Sequence, residues 1–225
     1  MSSPRPHPEP HDGDGARWYG LYPARVVDLV DPDAKGRIKV RFPAFGADGA
    51  TVTAWATLLT PYADDNQGLE ILPEKDSQVV CGFEAGDTTR PYIVGACWNG
   101  KRALPEAAAA ANNLRTLRTR SGSQLQFDDT AGAAKVTLSM QSGHEVVLDD
   151  EAQQVTIRHS NGCTIQINVA GQVSVTANST VEITAAGVNM HAPSVVCDGI
   201  LQCQTLIAGI GVVSPSYTPG AGNVW

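Results

Sequence analysis

The second half of the chain repeats itself, and this repeat restricts the possible folds more than any other feature. Three segments share a small polar residue, a glycine and an alternating apolar run: Ser121–Asp129, Ser142–Asp150 and Asn161–Ile167. Their glycines, Gly122, Gly143 and Gly162, are 21 and 19 residues apart. Self-similarity at such a step is typical of architectures in which short supersecondary units stack on one another.

Beyond Ile167 the repeat shortens to steps of seven or eight residues. Each step carries two apolar residues: Val173 and Val175, Val181 and Ile183, Val188 and Met190, Val195 and Cys197. Residues two apart on a strand point to the same face, so each pair predicts one apolar face. From Ser121 to Cys197 there are 22 Val, Ile and Thr residues against three Leu, which favours strands over helices.

Such short strands cannot bury an apolar face within one sheet, so they must stack and close into a prism. Closure within one chain usually needs about twenty residues per turn, whereas a step of about eight supplies one prism face. The periodicity therefore predicts a homotrimer: an intertwined triple-stranded β-helix over 121–213. Residues 101–120 are expected to be a linker and residues 214–225 a C-terminal tip tail.

Charge is distributed unevenly along the predicted prism. No Lys or Arg follows Arg158, and Glu182 and Asp198 are the only acids after it. An uncharged tip loses less hydration energy than a charged one on entering a lipid layer, so transient membrane contact is possible there. The whole chain has 16 Lys and Arg against 23 Asp and Glu, a balance that disfavours a nucleic-acid partner.

Residues 17–100 alternate short apolar runs with turn signals, which predicts a mostly β domain. The expected strands are Ala24–Val30, Arg37–Phe42, Thr53–Leu59, Ser77–Glu84 and Tyr92–Trp98. Ile38, Val40 and Phe42 should face a core, with three cations between and beside them on the solvent side. Those cations form either a nucleic-acid or partner contact or an ordinary solvated face. Five strands in about 80 residues suit an OB-fold barrel, so the whole chain is predicted to be all-β.

Residues 1–16 have no apolar or Arg-rich leader pattern, so we expect a disordered tail on a protein made in the cytoplasm without a signal peptide. The five cysteines form no paired cluster and are interpreted as small buried hydrophobic residues.

Few residues suggest chemistry. His191 is a weak metal candidate, because a threefold axis would bring three copies of it together. Asp128-Asp129 and Asp149-Asp150 are better explained as solvated corner residues than as catalytic or calcium-binding carboxylates. Without a Gly-x-Ser-x-Gly, His-Glu-x-x-His or phosphate-loop motif, the sequence indicates no enzyme and no cofactor.

Several segments resemble the OB-fold domain of VgrG and phage baseplate spike proteins. They are Trp18–Val27, Gly36–Pro43, Thr60–Ala63, Leu72–Glu74, Gly86-Asp87 and Arg90–Gly100. Arg118–Gly122 with Phe127–Asp129 looks like the entry to the β-helical needle of the same family.

This resemblance implies a trimer mounted on a hub, with a PAAR-type protein on the needle tip and possibly effector cargo. VgrG proteins fuse the hub ahead of the OB-fold; here a separate trimeric hub is expected, as in extracellular-type injection systems, whose particles are cytoplasmic or released. No lysozyme insertion or His-x-His iron site is present. Tyr217, Pro219 and Trp225 are candidates for docking the tip protein, or they cap the last prism layer.

The resemblance also implies a function: a central spike of a contractile injection system that pierces a target envelope on sheath contraction. Two other functions compete with it. A β-helical polysaccharide-degrading tailspike needs a cleft of carboxylates and aromatics, but no Phe or Tyr lies between Arg158 and Tyr217. An OB-fold nucleic-acid binder needs stacking aromatics within a basic groove.

Overall fold

The computed structural model of the chain describes residues 17–45 and 51–214. It divides into two units after Asn178. The predicted tail at 1–16 and the candidate docking residues Tyr217, Pro219 and Trp225 lie outside the described residues. No helix in the described part of the chain is long and apolar enough to cross a bilayer.

The first seven strands build a closed barrel and a small hairpin. They are β1 (Tyr22–Asp28), β2 (Arg37–Arg41), β3 (Thr53–Leu58), β4 (Ala63–Asp64), β5 (Gln67–Gly68), β6 (Gln78–Phe83) and β7 (Pro91–Ala96). The barrel closes in the order β1-β2-β3-β7-β6, and only the β3–β7 pair is parallel. Its five strands confirm the predicted barrel and are compatible with an OB-fold.

The barrel interior contains all nine buried hydrophobic residues among those described. They are Ala24, Val26, Ile38, Val40, Phe42, Ala56, Val79, Cys81 and Ile93. Strand alternation explains the set, because on β2 Ile38 and Val40 point inward while the cations between and beside them point outward. The predicted orientation of this strand is therefore confirmed.

Aromatic rings close one end of the barrel. Trp18 stacks on Phe45 with ring centroids 3.8 Å apart, and both rings contact Tyr22. The Trp18 amide donates to the Gly86 carbonyl at 2.9 Å. Gly86 has φ +81°, and a Cβ there would lie 3.2 Å from the Trp18 amide nitrogen, so the close approach requires glycine.

The turn between β1 and β2 is held by one carboxylate. Asp31 accepts 2.8 and 2.9 Å hydrogen bonds from Nε and Nη2 of Arg37, and it also accepts backbone N–H groups of Asp33 and Lys35. Its side chain is only 3% exposed. These bonds, chiefly those from Arg37, hold the pKa of Asp31 well below its usual range.

The next seven strands form one antiparallel meander, a sheet in which each strand pairs with its neighbours in sequence. They are β8 (Leu114–Arg118), β9 (Gln124–Asp128), β10 (Lys135–Ser139), β11 (Glu145–Asp149), β12 (Gln154–Arg158), β13 (Thr164–Ile167) and β14 (Val173–Thr176). The predicted repeat strands are confirmed, but this part of the chain pairs with itself and is not intertwined.

The sheet begins earlier than the sequence indicated. β8 lies within residues 101–120, where a linker without strands was predicted. The pattern was missed because Arg115 and Arg118 interrupt the apolar alternation of Leu114–Arg118.

Three similar loops lie side by side where the strands end, on one side of the sheet, and join β8 to β9, β10 to β11 and β12 to β13. Their glycines are those that marked the repeat. Gly122, Gly143 and Gly162 have φ of +84°, +91° and +95°, a region that favours glycine. A Cβ on Gly143 would lie 3.5 Å from Cβ of Ser160 in the following loop. The loops therefore stack on one another along this side.

The second unit, described from 179 to 214, contains no strand, and every one of its described residues is exposed. The short strands predicted at Val181–Ile183, Val188–Met190 and Val195–Cys197 are not formed within a single chain. No backbone hydrogen bond joins two residues of 179–213. A chain without internal backbone pairing cannot bury these apolar residues alone.

The Asp31–Arg37 contact predicts an acid-sensitive barrel. Asp31→Asn should lower the melting temperature at pH 7 more than Asp33→Asn, because Asp33 is 56% exposed and makes fewer bonds. Since the pKa of Asp31 is lowered on folding, its contribution is present above the unfolded pKa of about 4 and is lost as the pH falls below it. The gap between the wild type and Asp31→Asn should therefore narrow on acidification in thermal denaturation by circular dichroism. A gap as wide at pH 2 as at pH 7 would contradict this assignment.

Candidate assembly surfaces

One face of the seven-stranded sheet carries two parallel apolar rows, each crossing every strand. The first is uninterrupted and runs Leu117, Leu125, Leu138, Val146, Ile157, Ile165 and Val175. The second begins at Arg115 and continues with Phe127, Val136, Leu148, Val155, Ile167 and Val173. The rows are two residues apart along each strand, so they share a face, which we call the apolar face.

The opposite face is polar. Its central row is Thr116, Gln126, Thr137, Val147, Thr156, Gln166 and Ser174, in which Val147 is the single apolar member. On the next polar row, Arg158 pairs with Glu145 at 3.2 Å. The two faces of the sheet therefore differ strongly in polarity.

The segment before β8 packs on the polar face. Arg118 donates to the Pro105 carbonyl at 2.7 Å and forms a 2.5 Å ion pair with Glu106. Glu106 also accepts a hydrogen bond from Gln126 on the same face. Because the covering segment binds the polar side, the apolar face stays open.

Large side chains on the apolar face remain substantially exposed. Phe127, Leu138 and Leu148 are 45%, 51% and 49% accessible, although they lie in regular strands. An exposed contiguous apolar patch of this extent is typical of an interface with another molecule. The second unit continues the pattern, since Ile200, Ile207 and Ile210 are almost fully exposed.

The two Asp pairs considered as catalytic or calcium-binding carboxylates lie apart, and the side chains of Asp128, Asp129 and Asp149 contact nearby donors or cations. Asp128 accepts bonds from the amide and hydroxyl of Thr130, which lower its pKa. Asp129 lies 3.6 Å from Arg115, and Asp149 accepts the Ala152 amide. Asp128 and Asp149 are the last residues of β9 and β11, so the structure places both Asp pairs at strand ends.

His191 is an exposed residue of the second unit. Within the residues that the structure describes, no group of three or more His, Cys, Asp and Glu side chains is placed to hold a metal. The structure therefore assembles no metal site around His191 in one chain.

The cysteines differ from their predicted burial. Cys81 lies in the barrel core, where burial raises the pKa of its thiol to about 12. Cys97, Cys197 and Cys203 are exposed and Cys163 is half-buried, so the prediction was wrong for these residues in a single chain.

The structure shows two charged surfaces of the barrel domain, of which the sequence predicted only the outward cations of β2. The first, the basic face, consists of Arg25, Lys39 and Arg41 beside Trp55 on the outside of β1, β2 and β3. The second, the acidic arm, spans residues 61–72 and carries the β4–β5 hairpin, with Asp64 and Asp65 at its tip. The alternation of β2 predicted that Lys39 and Arg41 point outward, but it could not show that Arg25 of β1 lies opposite Arg41. The arm has no apolar run of strand length, so the sequence did not predict its hairpin.

Comparison with known proteins identifies the barrel. Residues 22–98 match the family of the type VI secretion system/phage-baseplate injector OB domain. The barrel is thus similar to an injector OB domain. The match covers all five barrel strands and ends before the sheet.

Similar curated proteins are three type VI secretion system spike proteins of Pseudomonas aeruginosa. The chain is 22% identical to VgrG1a over 130 residues, which is 53% of this chain and 20% of that protein. It is 23% identical to VgrG1b and to VgrG1c over 129 residues, covering 17% and 18% of those proteins. The chain thus aligns with about a fifth of each relative. All three are named as spike proteins.

The apolar face predicts a matched pair of substitutions with opposite outcomes. Leu138→Glu places a charge in the middle of the apolar face, whereas Thr137→Glu places it one residue away on the polar face. If the apolar face is buried in an oligomer, Leu138→Glu should dissociate the oligomer, because burying an unpaired carboxylate costs several kcal/mol. Thr137→Glu should leave it assembled. Size-exclusion chromatography with light scattering measures both, and equal behaviour of the two variants would contradict an interface on this face.

Proposed function

We propose that the chain is the central spike of a contractile injection machine: a homotrimeric needle that pierces a target envelope when the sheath contracts. The observation that carries this proposal is the open apolar face of the sheet, backed by a polar face and continued by an apolar segment without strands. The relationship to spike proteins supports the same function.

The dimensions of the sheet favour three chains. Strands of five residues make a face about 16 Å wide, and seven strands extend it about 29 Å along the needle. Three such faces enclose a triangular interior whose axis lies about 5 Å from each sheet, half the usual 10 Å between packed sheets. One layer of side chains fills that space. Four faces would stand about 16 Å apart and leave the interior hollow.

The second unit extends this prism as an intertwined part. Its apolar residues recur in pairs at short steps, and none of its described residues is buried within one chain. Strand pairing between three chains supplies the missing backbone hydrogen bonds and covers the apolar side chains together. Self-paired sheets thus form the base of the needle, and interchain strands form its distal part.

We propose a different partner protein for each end of the needle. A separate trimeric hub is proposed to bind the barrel end, because the barrel is similar to an injector OB domain. A PAAR-type tip protein is proposed at the other end, with Tyr217, Pro219 and Trp225 as docking residues and effector cargo as an optional passenger. His191 would lie in the distal prism. The lack of Lys and Arg after Arg158 suits brief passage through lipid.

The proposed mechanism is mechanical and not enzymatic. The work comes from sheath contraction, and the needle transmits force through a rigid prism, so no side chain has to form or break a bond. Closing the apolar faces against one another supplies the rigidity, because packed β interiors are dense and resist compression.

Particle mass in solution tests the proposal. Light scattering of the full-length chain should give three chains of 23.7 kDa, about 71 kDa in all. Limited proteolysis should cut residues 179–213 readily in monomeric Leu138→Glu but slowly in the wild type. A monomeric or dimeric wild type would overturn the trimeric needle. Tight, salt-sensitive binding to single-stranded DNA in a filter assay would instead favour an OB-fold nucleic-acid binder.

A further inference from the structure

The basic face of the barrel holds cations that pair with no carboxylate among the described residues. Arg25 lies directly opposite Arg41 across β1 and β2, and Lys39 lies two residues from Arg41 on the same outward side. Like charges directly opposite one another on a sheet are destabilising. Across the described residues, none of these three cations forms an ion pair, whereas Arg37 on the same strand binds Asp31 and Asp33.

An aromatic ring gives this face an apolar component. Trp55 pairs with Lys39 across β2 and β3, and its ring lies 5.8 Å from the Lys39 ammonium and 6.0 Å from the Arg37 guanidinium. A tryptophan among arginines is the composition that protein interfaces favour. The surface is therefore suited to a partner that is both acidic and partly apolar.

The acidic arm has the complementary composition. Asp64 and Asp65 stand at its tip with Glu70 nearby, and in the described ranges none of the three meets a cation within ion-pair distance. Residues 61–72 are all exposed, including Tyr62, Leu69, Ile71 and Leu72. Exposed apolar residues on a small hairpin are difficult to explain in an isolated chain.

The arm nevertheless has a defined shape. The Leu69 amide donates to the Tyr62 carbonyl at 2.9 Å, Thr60 donates to the Leu69 carbonyl at 2.8 Å, and Tyr62 donates to Gln67 at 2.7 Å. A preorganised hairpin loses less conformational entropy on binding than a flexible loop does. It is therefore a suitable element to insert between two copies of the chain.

We infer that the acidic arm of each copy docks on the basic face of the next copy, closing a ring of three barrels. This inference rests on the proposed trimer. Two different patches on one chain make a heterologous contact, and under threefold symmetry such a contact repeats three times and closes. Exposed ion pairs contribute little energy, so the contact sets the orientation of the barrels while the prism holds the chains together.

A carbodiimide, which joins a carboxylate directly to an amine in contact, provides the test on the full-length protein. The wild type should give covalent dimers and trimers on a denaturing gel, with a linked peptide joining Lys39 to Asp64 or Asp65. Lys39→Arg keeps the charge but removes the amine, so this link and its bands should be lost. Lys35→Arg is the matched control and should retain them, because Lys35 pairs with Asp33 within its own chain.

A charge swap makes the assignment specific. Lys39→Asp with Arg41→Asp, and separately Asp64→Lys with Asp65→Lys, should each abolish the link. All four substitutions together should restore it with the amine and carboxylate exchanged. Restoration supports the contact, and failure to restore it overturns the contact.

Light scattering on the same samples separates the docking of the acidic arm from the proposed trimeric needle. A trimeric mass without the link at position 39 overturns the docking of the arm and leaves the needle intact. A monomeric mass overturns both. If the basic face binds single-stranded DNA, and Lys39→Asp with Arg41→Asp removes that binding, the face belongs to nucleic acid and the inference fails.

Discussion

The apolar face of the sheet is the constraint on which the rest of the structure depends. Strand side chains alternate with a period of two, so a repeat that places apolar residues at alternate positions must collect them all on one side. Among the described residues, the segment before β8 is fastened to the polar side by Arg118 and Glu106 and leaves the apolar side exposed. The proposed association of chains would give that side an interior.

The barrel has no such requirement. Its nine buried hydrophobic residues lie on or directly beside its five strands, and one end is closed by its own aromatic rings. The barrel thus buries its core within one chain, whereas the apolar face of the sheet stays exposed there. This division matches the comparison, in which the recognised family covers the barrel and stops before the sheet.

Much of this architecture could be read from the sequence. Turn residues and strict alternation located all five barrel strands. Gly122, Gly143 and Gly162 marked the loops of the sheet, because the positive φ of these loops favours glycine. Three features could not be read from the sequence. The arginines of β8 hid a strand within a supposed linker, the exposure of Cys97 depends on the tertiary fold, and the cross-strand pairing of Arg25 with Arg41 depends on register. The candidate interface was predicted as a periodicity, but not as two rows on a self-paired sheet.

The meander of β8 to β14 has a consequence for how the particle is made. Each of its strands pairs with the strand next to it in sequence, so loop-closure entropy is small and the sheet forms without waiting for another chain. Residues 179–213 have no partner of their own, and their ordering depends on the encounter of chains. In the proposed trimer, the sheet would order within each chain first, and residues 179–213 would order only as the chains associate.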